Sequence, residues 1–197
     1  MYAILYIRPD QDQPATACPG ILGPRGWHCF GTYGSNGASL YVSPQPLTSE
    51  IFFSSSWNGF TGPAIQASFE NGDTSGRFGV AKTIARVFPA YKNFVQAVIA
   101  EGLQPGSEFP FGPYPKDKLT YLNKERVEYQ TPPLTEGLGT HSRLQSNADP
   151  ISGVAILIAP TPDLLSVFIR LSPDAVHLTP TIIQQAEREA GYTAQRR

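Results

Sequence analysis

Residues 151–160, ISGVAILIAP, decide the fold, because apolar side chains fill both sets of alternating positions. A short run of this kind is typical of a strand that is covered on both faces of a sheet. After a short Pro-Thr-Pro turn, residues 163–172, DLLSVFIRLS, repeat an apolar alternation on one face. We therefore expect the two segments to pair as antiparallel strands, with residues 151–160 as a central strand.

Three further segments have strand patterns. Residues 27–43 contain Asn36-Gly37, a dipeptide that suits the positive φ angles of tight hairpins, between two candidate strands. Residues 64–69, AIQASF, place apolar side chains on one side of a strand, and residues 118–131 alternate polar and apolar side chains around a central turn. Together these patterns predict a mainly antiparallel sheet.

The helical periodicity lies in residues 74–102 and near the end of the chain. Pro89 interrupts the first segment, since proline lacks an N–H group and its ring collides with the preceding turn, and Gly102 suits the C-terminal cap. Thr179 and Pro180 suit the cap and the first position of a final helix. We expect one helix that is kinked or two helices in the first segment, and a short C-terminal helix.

These elements predict an α+β fold. Its mainly antiparallel sheet carries the two-part or Pro-kinked helical segment 74–102 on one face, with the short C-terminal helix against the sheet or at its edge. A chain of 197 residues can bury one proper core, so residues 1–197 are predicted to form a single globular domain. The sequence does not indicate an oligomeric state.

Charge and hydropathy exclude two classes of partner. The chain has 15 basic and 16 acidic residues, and its only basic cluster is the terminal Arg196 and Arg197. Nothing therefore favours a nucleic acid or a polybasic contact with a membrane. The apolar opening, residues 2–7, is too short for a signal peptide or a membrane-spanning helix, so it predicts a first strand and no membrane insertion.

Cys18 and Cys29 are the two cysteines of the chain, and they bracket a loop rich in glycine and proline. A disulfide between them would close a ring of about 12 residues and stabilise the fold by about 3 kcal/mol, mainly by restricting the unfolded chain. Such a bond favours an oxidising compartment, periplasmic or secreted, and implies that a signal sequence has been removed. The alternative is two unrelated free thiols, with Cys29 packed beside Trp27.

No motif predicts a cofactor or a metal. The sequence has no phosphate-binding glycine loop, no dinucleotide-binding turn, no paired-cysteine or zinc-protease motif and no serine-nucleophile elbow. The histidines, His28, His141 and His177, are isolated along the chain. We predict neither a cofactor nor a metal site.

Residues 131–150 form the longest segment without periodicity, and they include EGLGTHSRL at 136–144. Segments of this length are usually binding loops, lids or disordered, or they hide an unrecognised strand. Because the segment leads into the most apolar strand, its C-terminal end should be rigid. Gly137 and Gly139 would allow its start to bend or to approach a ligand closely.

One interpretation of this loop is catalytic, as in a small secreted or periplasmic hydrolase. Ser142 would be the nucleophile, with a histidine base oriented by Asp149 or Glu136. In an extended backbone the adjacent His141 would point to the opposite face, so His28 would have to act as the base.

A second interpretation is binding, and it is the basis of the function that we predict. Arg143 and His141 offer hydrogen-bond donors to a carboxylate or phosphate, and the loop near Arg25, Trp27 and His28 offers residue types that anchor protein interfaces. The remaining alternatives are structural: the 136–144 loop is only a turn, and Trp27 fills the core. We therefore expect a non-catalytic, extracytoplasmic binding or inhibitor-type module that recognises a partner protein or a small anionic ligand.

Overall fold

The computed structural model describes residues 3–5, 20–158 and 160–195. In chain order its strands are β1 (Ala3–Leu5), β2 (Ile21–Gly23), β3 (His28–Gly34), β4 (Gly37–Ser43), β5 (Ala64–Glu70), β6 (Lys118–Asn123), β7 (Arg126–Thr131), β8 (Ile151–Ile158) and β9 (Asp163–Arg170). Its α-helices are α1 (Ser49–Phe52), α2 (Arg77–Val87), α3 (Lys92–Ala100) and α4 (Thr179–Gln195). The fold is α+β, as the sequence predicts.

Strands β3 to β9 form one antiparallel sheet with the order β3-β4-β5-β9-β8-β7-β6, and β1 pairs with β2 in a separate two-stranded sheet. The middle position belongs to β9, whose eight residues are all buried, and β8 lies beside it. The predicted antiparallel pairing of the two apolar segments is confirmed. Both strands are apolar on two faces because each face of the sheet carries a layer of helix.

The two faces can be named by their helices. On the front face, α2 and α3 pack over β7, β8 and β9, and the buried apolar residues there include Ala155, Leu157 and Phe168. On the back face, α4 packs against side chains such as Val154 and Ile169. Helix α4 is the predicted C-terminal helix and has 17 residues. Its apolar residues Ile182, Ile183, Ala186 and Ala190 recur at helical spacing and are buried in the cluster of the back face.

The break in the helical segment is confirmed. Helix α2 ends at Val87, Pro89 begins a single 3-10 turn, and α3 follows directly. Gly102 has a φ of 69°, the left-handed conformation that closes a helix C-terminus and favours glycine. The side chain of Arg77, at the start of α2, forms an ion pair with Glu101 at the end of α3, which ties the two helices together.

Some sequence predictions concern residues outside the described ranges. Cys18 is one of them, so the disulfide stays a prediction, and Cys29 is exposed on β3. The opening segment contributes strand β1. Within the described residues, no helix combines the length and the hydropathy needed to cross a membrane.

Candidate functional site

A cleft of about 780 Å³ lies on the front face. We call it the front cleft. Its floor is formed by β4, β5 and β9, one wall by α2, and the opposite wall by residues of the 131–150 loop and of α1. Residues of the 104–117 connection line its rim. The sheet residues of the apolar cluster under α2 and α3 come mainly from β7, β8 and β9, whereas β4 and β5 present the polar side chains of Ser39, Gln66 and Ser68 to the cleft.

The floor of the cleft is polar and internally hydrogen-bonded. Ser39, Ser68 and Ser166 are directly opposite one another on β4, β5 and β9. The hydroxyls of Ser39 and Ser68 are 2.9 Å apart, and Gln66 Nε2 donates to Ser68 Oγ at 2.8 Å. Gln66 Oε1 accepts a hydrogen bond from the backbone N–H of Arg143 at 2.7 Å. This chain of bonds fixes the floor and ties it to the loop wall.

Helix α2 contributes Gly79, Lys82, Thr83 and Arg86 to the wall. Their spacing of three and four residues places them on one side of the helix. Lys82 forms an ion pair with Glu108 at 2.9 Å on the rim. Sequence reasoning missed this wall, because charged residues at helical spacing usually indicate a solvated face.

Arg86 lies at the C-terminal end of the α2 wall. Its guanidinium carbon is 3.9 Å from the centre of the Tyr114 ring, and Nη1 donates to the backbone carbonyl of Gly112 at 3.2 Å. A planar guanidinium stacked on an aromatic ring is held in place while it keeps other N–H groups for a ligand. The Arg86 group is therefore oriented before any ligand arrives.

His141 contacts the same tyrosine. Tyr114 Oη and His141 Nε2 are hydrogen-bonded, and the two rings meet edge to face. Desolvation of the imidazole, followed by the positive charge of Arg86, lowers the pKa of His141. Desolvation also raises the pKa of Tyr114. At neutral pH the pair is therefore an uncharged hydrogen-bonded unit, and the positive charge at this end of the cleft belongs to the arginines.

Arg143 lines the cleft from the 131–150 loop. Its guanidinium carbon lies 5.6 Å from the Phe52 ring centre and 5.8 Å from that of Trp57. Those rings belong to an aromatic cluster that also includes Tyr41 and Phe60. Within the described residues, neither Arg86 nor Arg143 forms an ion pair with a carboxylate.

Glu70 lies at the other end of the cleft, at the end of β5. No hydrogen bond joins its carboxylate to another described group, and its partial burial raises its pKa from 4.5 to about 7. The carboxylate rests against the backbone of α2 at Gly79, where any side chain would overlap it. The polar residues of β5, which include Gln66, alternate with apolar ones. This alternation is the sequence signal that could have indicated the polar floor of the front cleft.

The 131–150 loop is fixed by internal hydrogen bonds, whereas a lid and a disordered segment were among the alternatives that its length allowed. The carboxylate of Asp117 accepts one hydrogen bond from the Thr131 hydroxyl and one from the Leu138 N–H, both 2.7 Å long. Gly137 and Gly139 bring the backbone close to Asp117, Thr131 and Ile151, where a Cβ atom would collide. These glycines serve internal packing, whereas the sequence analysis suggested bending or close contact with a ligand.

The far end of the loop is fixed by a buried arginine. Leu144 forms an isolated parallel bridge with Phe60, the short strand-like contact that the sequence analysis left open. Arg170, at the end of β9, is only 1% exposed and donates hydrogen bonds to the carbonyls of Phe60, Gly62 and Gln145. The loop wall of the cleft is thus anchored to the central strand.

The residues of the hydrolase alternative are not brought together in the cleft. Ser142 closes a local turn: its Oγ donates to the carbonyl of Gly139 at 2.8 Å and accepts from the N–H of Leu144 at 3.0 Å. Ser142, His28 and Asp149 are not among the residues that line the cleft. His28 lies on the edge strand β3 and is exposed, as is Asp149.

The second predicted binding surface also lies outside the cleft. Trp27 is partly buried and packs against the apolar cluster of the back face. Arg25 and His28 are exposed beside it. Of the five predicted binding residues, His141 and Arg143 line the cleft. The other three, Arg25, Trp27 and His28, lie on another part of the surface.

The described residues contain no group of three or more His, Cys, Asp or Glu side chains suited to a metal ion. No protein-family model matches the chain, and neither a curated protein nor a solved structure shows a significant match to it.

Proposed function

We propose that the protein is a non-catalytic binding module that holds a small anionic ligand in the front cleft. The observation that carries the proposal is the pair of guanidinium groups, Arg86 and Arg143, that line one cleft and form no ion pair within the described part of the chain. Lys82, in contrast, is already neutralised by Glu108. A ligand carboxylate or phosphate would accept paired hydrogen bonds from a guanidinium fork.

Size and preorganisation support the proposal. A cleft of about 780 Å³ is within the usual range for small-molecule sites, which is roughly 300–1,000 Å³. The guanidiniums are held against aromatic rings, and the floor is fixed by its own hydrogen bonds. Because these groups are ordered in advance, little conformational entropy remains to be lost on binding.

The test is a titration of the protein with benzoate, succinate and inorganic phosphate, followed by calorimetry and NMR. We expect at least one of them to bind, and Arg86→Gln and Arg143→Gln each to weaken it by about 10- to 100-fold, the range for a charged hydrogen bond. Arg188→Gln, which changes an exposed arginine on α4 behind the sheet, is the matched control and should have no effect. If none of the three anions binds, or if the control and cleft variants behave alike, the proposal is wrong.

The compartment is a separate proposal. An extracytoplasmic location rests on the expected bond between Cys18 and Cys29. Mass spectrometry of unreduced protein from its native source should show this bond. Two freely alkylated thiols would contradict both the bond and the location, and would leave the cleft unaffected.

A further inference from the structure

The two ends of the front cleft carry opposite charges. Arg86 and Arg143 lie at one end, beside Tyr114 and the Gln66 end of the floor. Glu70 lies at the other end, against Gly79 in the first turns of α2. Lys82 and Glu108, between these ends, neutralise each other. A ligand whose only charge is negative would bind at the end with the two arginines and leave Glu70, at the other end, without a partner.

Two elements give the distance between the charged ends. Gly79 and Arg86 are seven residues apart on α2, which corresponds to about 10 Å along a helix. Gln66 and Glu70 are four residues apart on β5, which corresponds to about 13 Å along a strand. No cation of the cleft contributes to the shifted pKa of Glu70, which is caused by burial alone.

We propose that the ligand of the front cleft is a linear zwitterion, with an amine held by Glu70 and a carboxylate held by Arg86 and Arg143. This inference rests on the proposed function and adds a second charged group to its ligand. A short peptide with free termini belongs to this class, since three extended residues span about 10 Å. The hydroxyl groups of Ser39, Ser166 and Thr83 lie along the path between the two ends, where peptide groups would meet hydrogen-bonding partners.

Within the described residues, Glu70 has no cationic partner. Its opposite neighbours in the sheet are Gly37 and Leu164, which carry no charge, and α2 presents Gly79 and then Lys82, whose ammonium is paired with Glu108. A buried carboxylate without a partner retains its proton more strongly, and a ligand ammonium would supply both charge and N–H donors. Binding of the ammonium should therefore favour the ionised form of Glu70 and release its proton.

The experiment compares triglycine with N-acetyltriglycine and triglycine amide, which each lack one terminal charge. Affinities for the full chain are measured by calorimetry near the pKa of about 7 of Glu70. We expect triglycine to bind at least about tenfold more tightly than either blocked peptide, as a lost charged contact implies. Repeating the titration in buffers of different ionisation enthalpy should show that the wild type releases more protons than Glu70→Gln.

The variants assign each terminus to its end of the cleft. Glu70→Gln should reduce the affinity for triglycine to that of N-acetyltriglycine and leave binding of N-acetyltriglycine unchanged. Arg86→Gln should weaken triglycine and N-acetyltriglycine but not triglycine amide. Gly79→Ala, which displaces the Glu70 carboxylate, should repeat the effect of Glu70→Gln. Glu128→Gln, on β7 with its side chain alternating away from the front face, is the matched control.

The possible failures are distinguishable. If triglycine and N-acetyltriglycine bind the wild type equally and Arg86→Gln weakens both, the zwitterion is wrong and the anion site stands. If triglycine does not bind at about 10 mM, its binding free energy is weaker than about −3 kcal/mol and the proposal of a zwitterion is wrong. The titration with benzoate, succinate and phosphate then tests the anion site independently.

Discussion

The two faces of strand β5 carry different kinds of side chain, although the residues of the two faces alternate along one short segment. Ile65, Ala67 and Phe69 point to the back face and join a closed apolar cluster under α4. Gln66, Ser68 and Glu70 point to the front cleft. The back face stabilises the fold, whereas the front face keeps polar groups in fixed positions at the edge of a helical layer. One strand thus contributes to stability and to a candidate site through side chains that never meet.

The energetic basis of the two faces also differs. Burial of apolar area stabilises the back face, at roughly 25 cal/mol per Å². On the front face, the hydroxyl and amide groups lose water and recover hydrogen bonds from one another, so the net gain per bond is only about 1 kcal/mol. Glu70 recovers no such bond from the described residues, and its burial raises its pKa to about 7. Substitutions on the two faces should therefore have different effects.

The largest expected effect is that of Ile65→Ala on the back face. Ile65 is fully buried between β4 and β9, and its truncation should reduce the free energy of unfolding by about 2–5 kcal/mol through lost burial and a residual cavity. Urea denaturation measures the change. A loss below about 1 kcal/mol, the level of a net hydrogen bond, would show that the back face is not the stabilising one.

Glu70→Gln on the front face should change the pH dependence of stability. The folded-state pKa of Glu70 is about 7 against a reference of 4.5, so the native state holds a proton that the unfolded state has released between these values. Stability of the wild type should therefore fall as the pH rises from 4.5 through about 7, by up to about 3 kcal/mol from this group. In Glu70→Gln this part of the decline should be absent.

Urea denaturation of the wild type and of Glu70→Gln, at pH values below 4.5 and above 7, checks the prediction. The quantity to compare is the difference in free energy of unfolding between the two proteins at each pH. Glu128→Gln is again the control, because it also removes a carboxylate from a strand. A wild type and Glu70→Gln with parallel pH profiles would mean that Glu70 is ionised and well solvated in the cleft.

The smallest expected effect is that of Ser142→Ala in the loop wall. The substitution removes one hydrogen bond to Gly139 and one from Leu144, so stability should decrease by about 1–2 kcal/mol. Binding of the anions should be nearly unchanged, because Arg143 remains held by Gln66. A hydrolytic activity that Ser142→Ala abolishes would overturn the non-catalytic proposal.

The fold was largely predictable because its elements carry local signals. The alternation in β5 and the break at Pro89 each act on neighbouring residues, and the structure confirms both. The predicted hairpin also forms, but its two turn residues are Ser35 and Asn36, and Gly37, with a φ of 138°, is already the first residue of β4. The pairing partners of each strand are less predictable from the sequence. Insertion of β9 between β5 and β8 depends on packing between distant segments, and no single pattern in the sequence specifies it.

The candidate site was less predictable for the same reason. His141 and Arg143 were predicted as binding residues because they lie in an irregular loop. Arg86 lies on a helix and Glu70 at the end of a strand, where a charged residue usually indicates solvent, and only the strand order brings them to the same cleft. The sequence left two roles open for Trp27, since an aromatic residue in a loop can serve an interface or pack against a core, and Trp27 packs against the cluster of the back face.

The position of β9 has a consequence for the kinetics of folding. Strands β3 to β5 are consecutive neighbours, as are β6 to β8, but the two groups are joined only through β9, which pairs Ala64 with Arg170 across more than half of the chain. Contacts between such distant residues slow folding, because loop closure must precede any gain from pairing. Since Arg170 also fixes the carbonyls of Phe60 and Gln145, the loop wall should become ordered only after β9 has inserted. In refolding followed by hydrogen exchange, amide protection in β9 should precede or accompany the return of ligand binding.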